Sequence, residues 1–140
     1  MTDKLTRGGL ALLGLIGLQV GVWALLAPRS FYDDFPGGGR HWVAADGPYN
    51  EHLIRDVGAL NLALLAVVIV ALVTRTSSSI RAAALAWLVY SLPHLVYHAN
   101  HLHLLDDTGD KVLNVAALSL AVVLSAGVLV LSFTADRAPR

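Results

Sequence analysis

The chain has 140 residues, no cysteine and a formal net charge of +0, and 56% of its residues are hydrophobic but only 14% are charged. Its length suits one domain, yet soluble domains usually carry about 25% charged residues, so this composition excludes an ordinary water-soluble globule. The neutral balance argues against a nucleic-acid-binding protein, which typically shows a basic patch. Without cysteine, disulfides and thiolate metal sites are excluded. The composition therefore predicts a small integral membrane protein.

Four apolar stretches are long enough to cross a hydrocarbon core as helices, which takes about 17–25 residues. They cover residues 8–27, 57–73, 82–98 and 112–135. Strands are disfavoured because the apolar runs are continuous rather than alternating. The first run is too long for the core of a signal peptide, so it is predicted to be a mature span. The predicted fold is all-α, a bundle of four transmembrane helices in a single membrane domain, residues 1–140.

Glycines in the first span predict close helix packing. Gly14, Gly17 and Gly21 follow one another at the spacing that lets two membrane helices approach closely. This pattern fits packing within the bundle as well as dimerisation.

Charge placement predicts the orientation of the bundle. With four spans, both chain ends and the connection between spans two and three share one side. The basic residues of that side are Lys4, Arg7, Arg75, Arg81, Arg137 and Arg140. Eight of the ten acidic residues fall on the other side. The positive-inside rule therefore predicts cytoplasmic termini in a multi-pass plasma-membrane protein.

The connection between spans one and two, about residues 29–50, is long for a protein of this size. Such connections tend to be functional lids or disordered, and the aromatic content here favours a folded outer lid. Ser30 is a predicted N-cap of a short helix that ends before Pro36. Asn50 is a predicted N-cap of the second long helix, and Glu51 and Arg55 are expected to pair at i, i+4.

The third span carries the most specific pattern of chemical side chains. His94, His98 and His101 are spaced i, i+4, i+7, so on a helix they lie within about 60° of one another. Pro93 is expected to kink the helix beside them. Ionisable residues inside a membrane span mark functional sites more often than packing.

The second span is expected to face these histidines. At a rise of about 1.5 Å per residue, Asp56 is expected at the depth of His98, and Asn61 near that of His94. Imidazole together with carboxylate suits Zn, Fe or Cu(II). The predicted metal ligands are His52, Asp56, His94, His98 and His101. The candidate catalytic side chains, which position substrate or transfer protons, are Glu51, Tyr90 and Tyr97.

Several functions remain open on these observations. The preferred one is an integral membrane metalloprotein with an outer-leaflet site, acting as an oxidoreductase or hydrolase on a lipid-like or apolar substrate. A b-type haem protein with His52 as an axial ligand is a second. The third is a non-enzymatic accessory or assembly subunit that docks a larger membrane complex, or a second copy of the chain, through the glycines of the first span and the small residues of the fourth. The glycines are Gly17 and Gly21, and the small residues are Ala116, Ala117, Ser119, Ala121, Ser125, Ala126 and Gly127. Two alternatives need no metal: the histidines line a proton- or substrate-binding pocket, or they are structural polar packing.

Two stretches of the chain resemble a known pattern. The first comprises Phe35-Pro36-Gly37 through Trp42, and then Gly47-Pro48-Tyr49-Asn50-Glu51-His52-Leu53 with Asp56-Val57-Gly58-Ala59. The second is Pro93-His94-Leu95-Val96-Tyr97-His98 with His101. Both are similar to signatures of uncharacterised four-helix membrane proteins of actinobacteria, over most of residues 28–106. The size and layout also loosely resemble DoxX-like proteins. The resemblance implies a four-span layout and brings no established activity.

Overall fold

Four long helices make up most of the protein, as the four apolar stretches predict. The structure is a computed structural model, and it describes residues 2–136. The helices are α1 (Thr2–Leu26), α2 (Pro28–Asp34), α3 (Trp42–Ala45), α4 (Glu51–Thr74), α5 (Ser77–Asn100) and α6 (Thr108–Asp136), with a 3-10 turn at Leu102–Leu104. By length and composition, α1, α4, α5 and α6 can each cross a membrane. The all-helical fold is therefore confirmed, and the four long apolar helices are compatible with a multi-pass membrane protein.

The four long helices form a ring in which each packs against two neighbours. Helix α1 contacts α4 and α6, and α5 contacts α4 and α6. The α1–α4 pair is antiparallel, because Gly14 lies beside Val68 whereas Gly21 lies beside Leu62. One end of the bundle holds the start of α1, the end of α6 and the α4–α5 turn, and we call it the terminal end. The opposite end, with residues 27–50 and 101–107, is called the loop end.

The core is narrow and contains a few polar side chains. Leu10, Leu13, Val68 and Trp87 are almost fully buried between the helices. Buried hydroxyls are satisfied locally. One example is Ser125, whose Oγ donates to the carbonyl of Ala121 at 2.8 Å. Internal pairing of this kind is required in lipid, where no water is available to accept the bond. Many large apolar side chains face outward, as expected for a surface in contact with acyl chains.

The glycines of α1 bring it close to α4. A Cβ added at Gly17 would lie 3.0 Å from the carbonyl oxygen of Asn61, and one at Gly21 would lie 2.7 Å from a methyl carbon of Leu62. On α4, a Cβ at Gly58 would lie 2.6 Å from the backbone nitrogen of Leu25. Of the two uses expected for the glycine pattern, the structure shows packing within the bundle.

The connection between α1 and α4 is folded. Its helix α2 begins with Pro28, which suits a first helical turn because the missing N–H has no partner there. The residue at the N-cap position is Ala27, so the expectation of a Ser30 cap is wrong. Ser30 instead lies inside the helix and donates to Asp34 at 3.1 Å. Two short strands, Pro36–Gly37 and Arg40–His41, then pair in a hairpin.

Glycine makes the hairpin turn possible, and aromatic side chains anchor the connection. Gly38 and Gly39 both have positive φ, at 67° and 77°, which a two-residue hairpin turn requires. Trp23 of α1 packs edge-on against Phe31 of α2 at 5.8 Å between ring centroids, and Phe31 lies 4.7 Å from Phe35. This aromatic cluster packs the connection against the loop end of α1.

The start of α4 follows the sequence prediction. The side chain of Asn50 accepts a hydrogen bond from the backbone N–H of Leu53 at 3.1 Å, which confirms it as the N-cap. Arg55 and Glu51 form the expected ion pair at 2.8 Å. Arg55 also donates to the backbone carbonyl of Leu25 at the end of α1. The first turn of α4 is thereby tied to the last turn of α1.

Candidate functional site

Helix α5 carries a continuous series of aromatic and imidazole rings towards the loop end. Tyr90 stacks on His94 at 5.5 Å between ring centroids, and His94 lies 4.7 Å from His98 in an edge-on arrangement. Both histidines are partly buried. Pro93 lies within the helix and has no N–H, so the carbonyl of Val89 lacks its usual helical donor beside these rings. The predicted stripe of histidines is therefore present on α5.

His101 lies where α5 ends, and its ring is fixed by a neighbouring residue. Its Nδ1 is 2.7 Å from the backbone carbonyl oxygen of Tyr97, and the two rings stack at 4.1 Å between centroids. That contact assigns the proton to Nδ1, because a carbonyl oxygen only accepts hydrogen bonds. The Nε2 of His101 takes no part in this contact.

The acidic side chain nearest to these histidines comes from the connection between α1 and α4. Asp46, the residue after α3, accepts a hydrogen bond from the Tyr97 hydroxyl at 3.2 Å. The neighbouring Gly47 carbonyl accepts one from the Tyr32 hydroxyl at 2.8 Å. These two bonds position the Asp46 carboxylate over the end of α5.

A second contact holds the same connection against α6. The Arg40 guanidinium binds the Asp110 carboxylate at 2.7 Å, and both side chains are partly buried. Asp110 lies in the first turn of α6. The connection is therefore attached to α5 through Asp46 and to α6 through Arg40.

A small cavity lies beneath this connection. Its volume is about 10 Å³, and its walls include Trp42, Asp46, His98, His101 and Asn114, with leucines from residues 102–105. A cavity of this size holds about one water molecule. It combines one carboxylate, two imidazoles and one amide in a small volume.

Two polar atoms of the cavity-lining residues have no hydrogen-bond partner in the described part of the chain. Trp42 and Asn114 are both at least nine-tenths buried. Within residues 2–136, the indole N–H of Trp42 and the side-chain oxygen of Asn114 form no hydrogen bond. A buried polar group without a partner is costly, at about 1–3 kcal/mol. An unpaired donor and an unpaired acceptor beside one cavity indicate that a small polar species, such as one water molecule, belongs there.

The donors around the cavity do not form a metal-binding arrangement within residues 2–136. In the part of the chain that the structure describes, no three side chains of the ligand-forming types are already placed to hold a metal ion. His98, His101 and Asp46 nevertheless line the same small cavity. Such an ion would need these donors to move inward by a change in side-chain rotamers.

The two α4 residues predicted as metal ligands lie elsewhere. His52 and Asp56 pair with each other at 2.9 Å, and their side chains are 86% and 65% exposed. Neither lines the cavity. Asn61 does reach α5, where its amide donates to the Tyr90 hydroxyl at 3.3 Å. Asp56 is five residues before Asn61, which turns it about 140° around the helix. Asn61 thus lies level with Tyr90, one helical turn deeper than the predicted level of His94, and the rotation of α4 turns Asp56 away from the histidines.

The three residues predicted as catalytic are also separated by the fold. Glu51 is engaged with Arg55 at the exposed start of α4. Tyr90 contacts His94 and Asn61 below the cavity, and Tyr97 binds Asp46 above it. The two tyrosines thus belong to the surroundings of the α5 histidines, whereas Glu51 does not.

The Arg29 side chain holds the start of α2 in place within the connection between α1 and α4. The hydrogen bond from Arg29 to Asp33 raises the pKa of that guanidinium. The Arg29 guanidinium lies 5.0 Å from the centre of the Tyr49 ring. Burial is the largest cause of the raised pKa of Tyr49. A permanent cation therefore faces a neutral phenol, which holds the start of α2 beside the segment that leads into α4.

No sequence pattern indicates Asp46, Trp42 or Asn114 as site residues. Asp46 and Trp42 lie in a non-periodic segment, and their positions depend on the folding of the whole connection. Asn114 lies in α6, within the fourth apolar stretch. A polar residue in an otherwise apolar span was the available signal for it. Comparison of the chain with protein-family models, with curated proteins and with solved structures gives no match.

Proposed function

We propose that this chain is a multi-pass plasma-membrane protein that binds a transition-metal ion, Zn, Fe or Cu, at its loop end. The observation that carries the proposal is the cavity of about 10 Å³ shared by Asp46, His98 and His101, with the unpaired oxygen of Asn114 beside it. Two imidazoles and one carboxylate are a donor set that suits these metals. A bound species that pairs with these polar atoms would remove the free-energy cost of leaving them buried without a partner.

The proposed ligand set differs from the one that helix periodicity predicts. Asp46 takes the place of Asp56, and His98 and His101 are the primary imidazole ligands. His94 lies one helical turn deeper, 4.7 Å from His98 between ring centroids, and is a further ligand if His98 rotates towards it. Tyr97 is a positioning residue, because its hydroxyl holds the Asp46 carboxylate at 3.2 Å.

The charge distribution supports placing the site on the extracytoplasmic side. Lys4, Arg7 and Arg75 lie at the terminal end of the bundle, and Arg81 is in the first turns of α5 at the same end. Basic residues favour the cytoplasmic face, which puts the loop end outside. Arg137 and Arg140, which contribute to the same prediction, lie outside the described residues.

A metal ion bound here would supply Lewis-acid activation of a water molecule or, for Fe and Cu, one-electron chemistry. The protein would contribute the shelter of the connection, the orientation of Asp46 by Tyr97 and a wall that faces lipid. Val96 and Tyr97 are exposed on α5 just beneath the connection. We propose a lipid-like or apolar substrate because such a molecule reaches this face directly from the bilayer, and the reaction class is hydrolysis or oxidation.

The two alternative functions receive less support from the geometry. A haem held by His52 and an α5 histidine requires both to face one large cavity, but the His52 side chain is 86% exposed and does not line the cavity beside His98. Docking of a larger complex through Gly17 and Gly21 requires these glycines to be free, and both pack against α4. The small residues of α6 remain available for docking, because Ala116 and Ala117 are exposed and a Cβ added at Gly127 meets no atom within 4 Å. The resemblance to four-helix membrane proteins of actinobacteria is compatible with all three functions.

The test is metal stoichiometry in the purified full chain. The protein is extracted in mild detergent, stripped with chelator, reloaded with Zn²⁺, Fe²⁺ or Cu²⁺, and analysed for bound metal. We expect near-stoichiometric binding that is lost in His98→Ala and strongly weakened in Asp46→Asn. His52→Ala is the matched control, because it removes an exposed imidazole at the same end, and it should bind as the unmodified chain does. Equal binding by all four proteins, or no binding by any, would refute the proposal.

A further inference from the structure

A groove lies at the terminal end, on the side of the molecule remote from the histidines. Its volume is about 470 Å³, and it is lined by Lys4, Arg7, Gly8 and Ala11 of α1 and by Leu72 of α4. The α1 residues follow one another at intervals of three, one and three positions, so they occupy one face of the helix. The groove therefore runs along the junction between α1 and α4.

The floor of the groove is apolar and open. Gly8 and Ala11 expose little more than backbone and one methyl group, and Leu72 supplies the opposite wall. A Cβ placed on Gly8 would meet no atom within 4 Å, in contrast to the tightly packed Gly17 and Gly21 on the same helix. Gly8 is thus not required for packing between helices, and the space beside it is available to a ligand.

The rim of the groove is positively charged. Lys4 and Arg7 are both exposed, and within residues 2–136 neither forms an ion pair with an acidic side chain. Arg75 follows α4 three residues after Leu72 and adds a third cation at this end. Arg81, in contrast, is directed to α6, where its guanidinium lies 4.0 Å from the centre of the Phe133 ring.

We propose that this groove binds one anionic phospholipid. The phosphate would lie between the Lys4 ammonium and the Arg7 guanidinium, and an acyl chain would lie along Gly8, Ala11 and Leu72. Basic pockets between membrane helices bind anionic headgroups in this way. The assignment rests on complementarity of charge at the rim and of polarity at the floor. It is independent of the proposed metal site at the opposite end of the molecule.

The size of the effect follows from the charges. A Lys or Arg beside an anionic membrane surface contributes a factor of about five to lipid affinity. Lys4→Gln with Arg7→Gln should therefore weaken binding of an anionic lipid by about 25-fold. The matched control is Arg29→Gln with Lys111→Gln, which removes the same charge at the loop end and should leave lipid binding unchanged.

A second variant separates the groove from charge alone. Gly8→Leu leaves every charge in place and fills the apolar floor. Because the site is open, this change should not disturb the fold. The bundle's helix content and unfolding midpoint in detergent should match those of the unmodified chain. If the groove is the binding site, Gly8→Leu should lose lipid about as completely as the double Lys4 and Arg7 variant.

The measurement is retention of lipid by the intact protein in native mass spectrometry. The protein in detergent is titrated with phosphatidylglycerol, with phosphatidylcholine and with inorganic phosphate. We expect one phosphatidylglycerol molecule to stay bound, phosphatidylcholine to bind much more weakly and free phosphate not to be retained. Equal retention of both lipids would refute the proposal, as would normal retention by Gly8→Leu. Retention of inorganic phosphate alone would show an ion site rather than a lipid site and would also refute it.

Discussion

Gly58 is the position at which the structure makes its most quantitative prediction. A Cβ there would lie 2.6 Å from the backbone nitrogen of Leu25, which is 0.8 Å less than the 3.4 Å at which ordinary contact begins. The atom it meets belongs to the backbone, so rotation of a side chain cannot relieve the clash. In Gly58→Ala, α1 and α4 must separate by several tenths of an ångström, which opens gaps along their whole interface.

The expected cost combines two opposing effects. Overpacking of this kind costs about 1–3 kcal/mol, whereas replacing a helical glycine by alanine recovers up to about 1 kcal/mol of helix propensity. Gly127→Ala is the matched control, because a Cβ at that position meets nothing within 4 Å. Since the propensity gain is common to both variants, the difference in their unfolding free energies should isolate the packing cost of about 1–3 kcal/mol.

The assay is equilibrium unfolding in mixed micelles of mild detergent and sodium dodecyl sulfate, followed by circular dichroism. Gly58→Ala should unfold at lower denaturant fraction than Gly127→Ala, and both should keep the particle mass of the unmodified protein. If the two variants were equally stable, the close approach of α1 to α4 at Gly58 would be wrong. If Gly58→Ala changed the oligomeric mass with no loss of stability, the glycine face would be an interface between chains.

Three further predictions concern the loop end. Arg40→Gln removes the 2.7 Å ion pair with Asp110, and since both side chains are partly exposed the cost should be at most about 1 kcal/mol. The loss of this ion pair should instead appear as faster proteolysis within residues 35–50. An unchanged cleavage rate would mean that the ion pair does not hold the connection in place. Tyr97→Phe removes the hydrogen bond to Asp46, worth about 1 kcal/mol, so metal affinity in titrations should fall about fivefold while the stoichiometry stays the same. Acidification should release the metal, because imidazole ligands must be neutral and ordinary imidazoles take up protons near pH 6.5. A metal affinity that does not fall as the pH is lowered would exclude imidazole ligation.

Hydrophobic pattern and cap chemistry were sufficient to predict the framework of the fold. The apolar runs are so long that neither a soluble fold nor a β-sheet of this size would bury them. Asn50 is the N-cap of α4, as its residue type predicts. The ends of helices were less predictable. α4 and α5 both begin about five residues before the predicted spans, because helices continue past the apolar stretch into polar turns.

The α5 part of the candidate site could be predicted from the sequence, whereas the residues that other elements contribute could not. Positions within one helix follow from a fixed angle per residue, so the relation of His94 to His98 can be read from spacing. The rotation of α4 about its own axis is different, since it is set by Gly58 and Asn61 packing against neighbours. The position of Asp46 depends on a hairpin, a short helix and the Tyr32–Gly47 hydrogen bond together. No local pattern encodes that combination.

The attachment of the connection to two different helices has a mechanical consequence. Asp46 is held on α5 by Tyr97, and Arg40, six residues earlier, is held on α6 by Asp110. A change in the spacing or tilt of α5 relative to α6 must therefore stretch or relax the segment between these two attachments. Helices adjust their tilt when the bilayer becomes thicker or thinner. The position of the Asp46 carboxylate over the histidines thereby becomes sensitive to the thickness of the membrane around the protein.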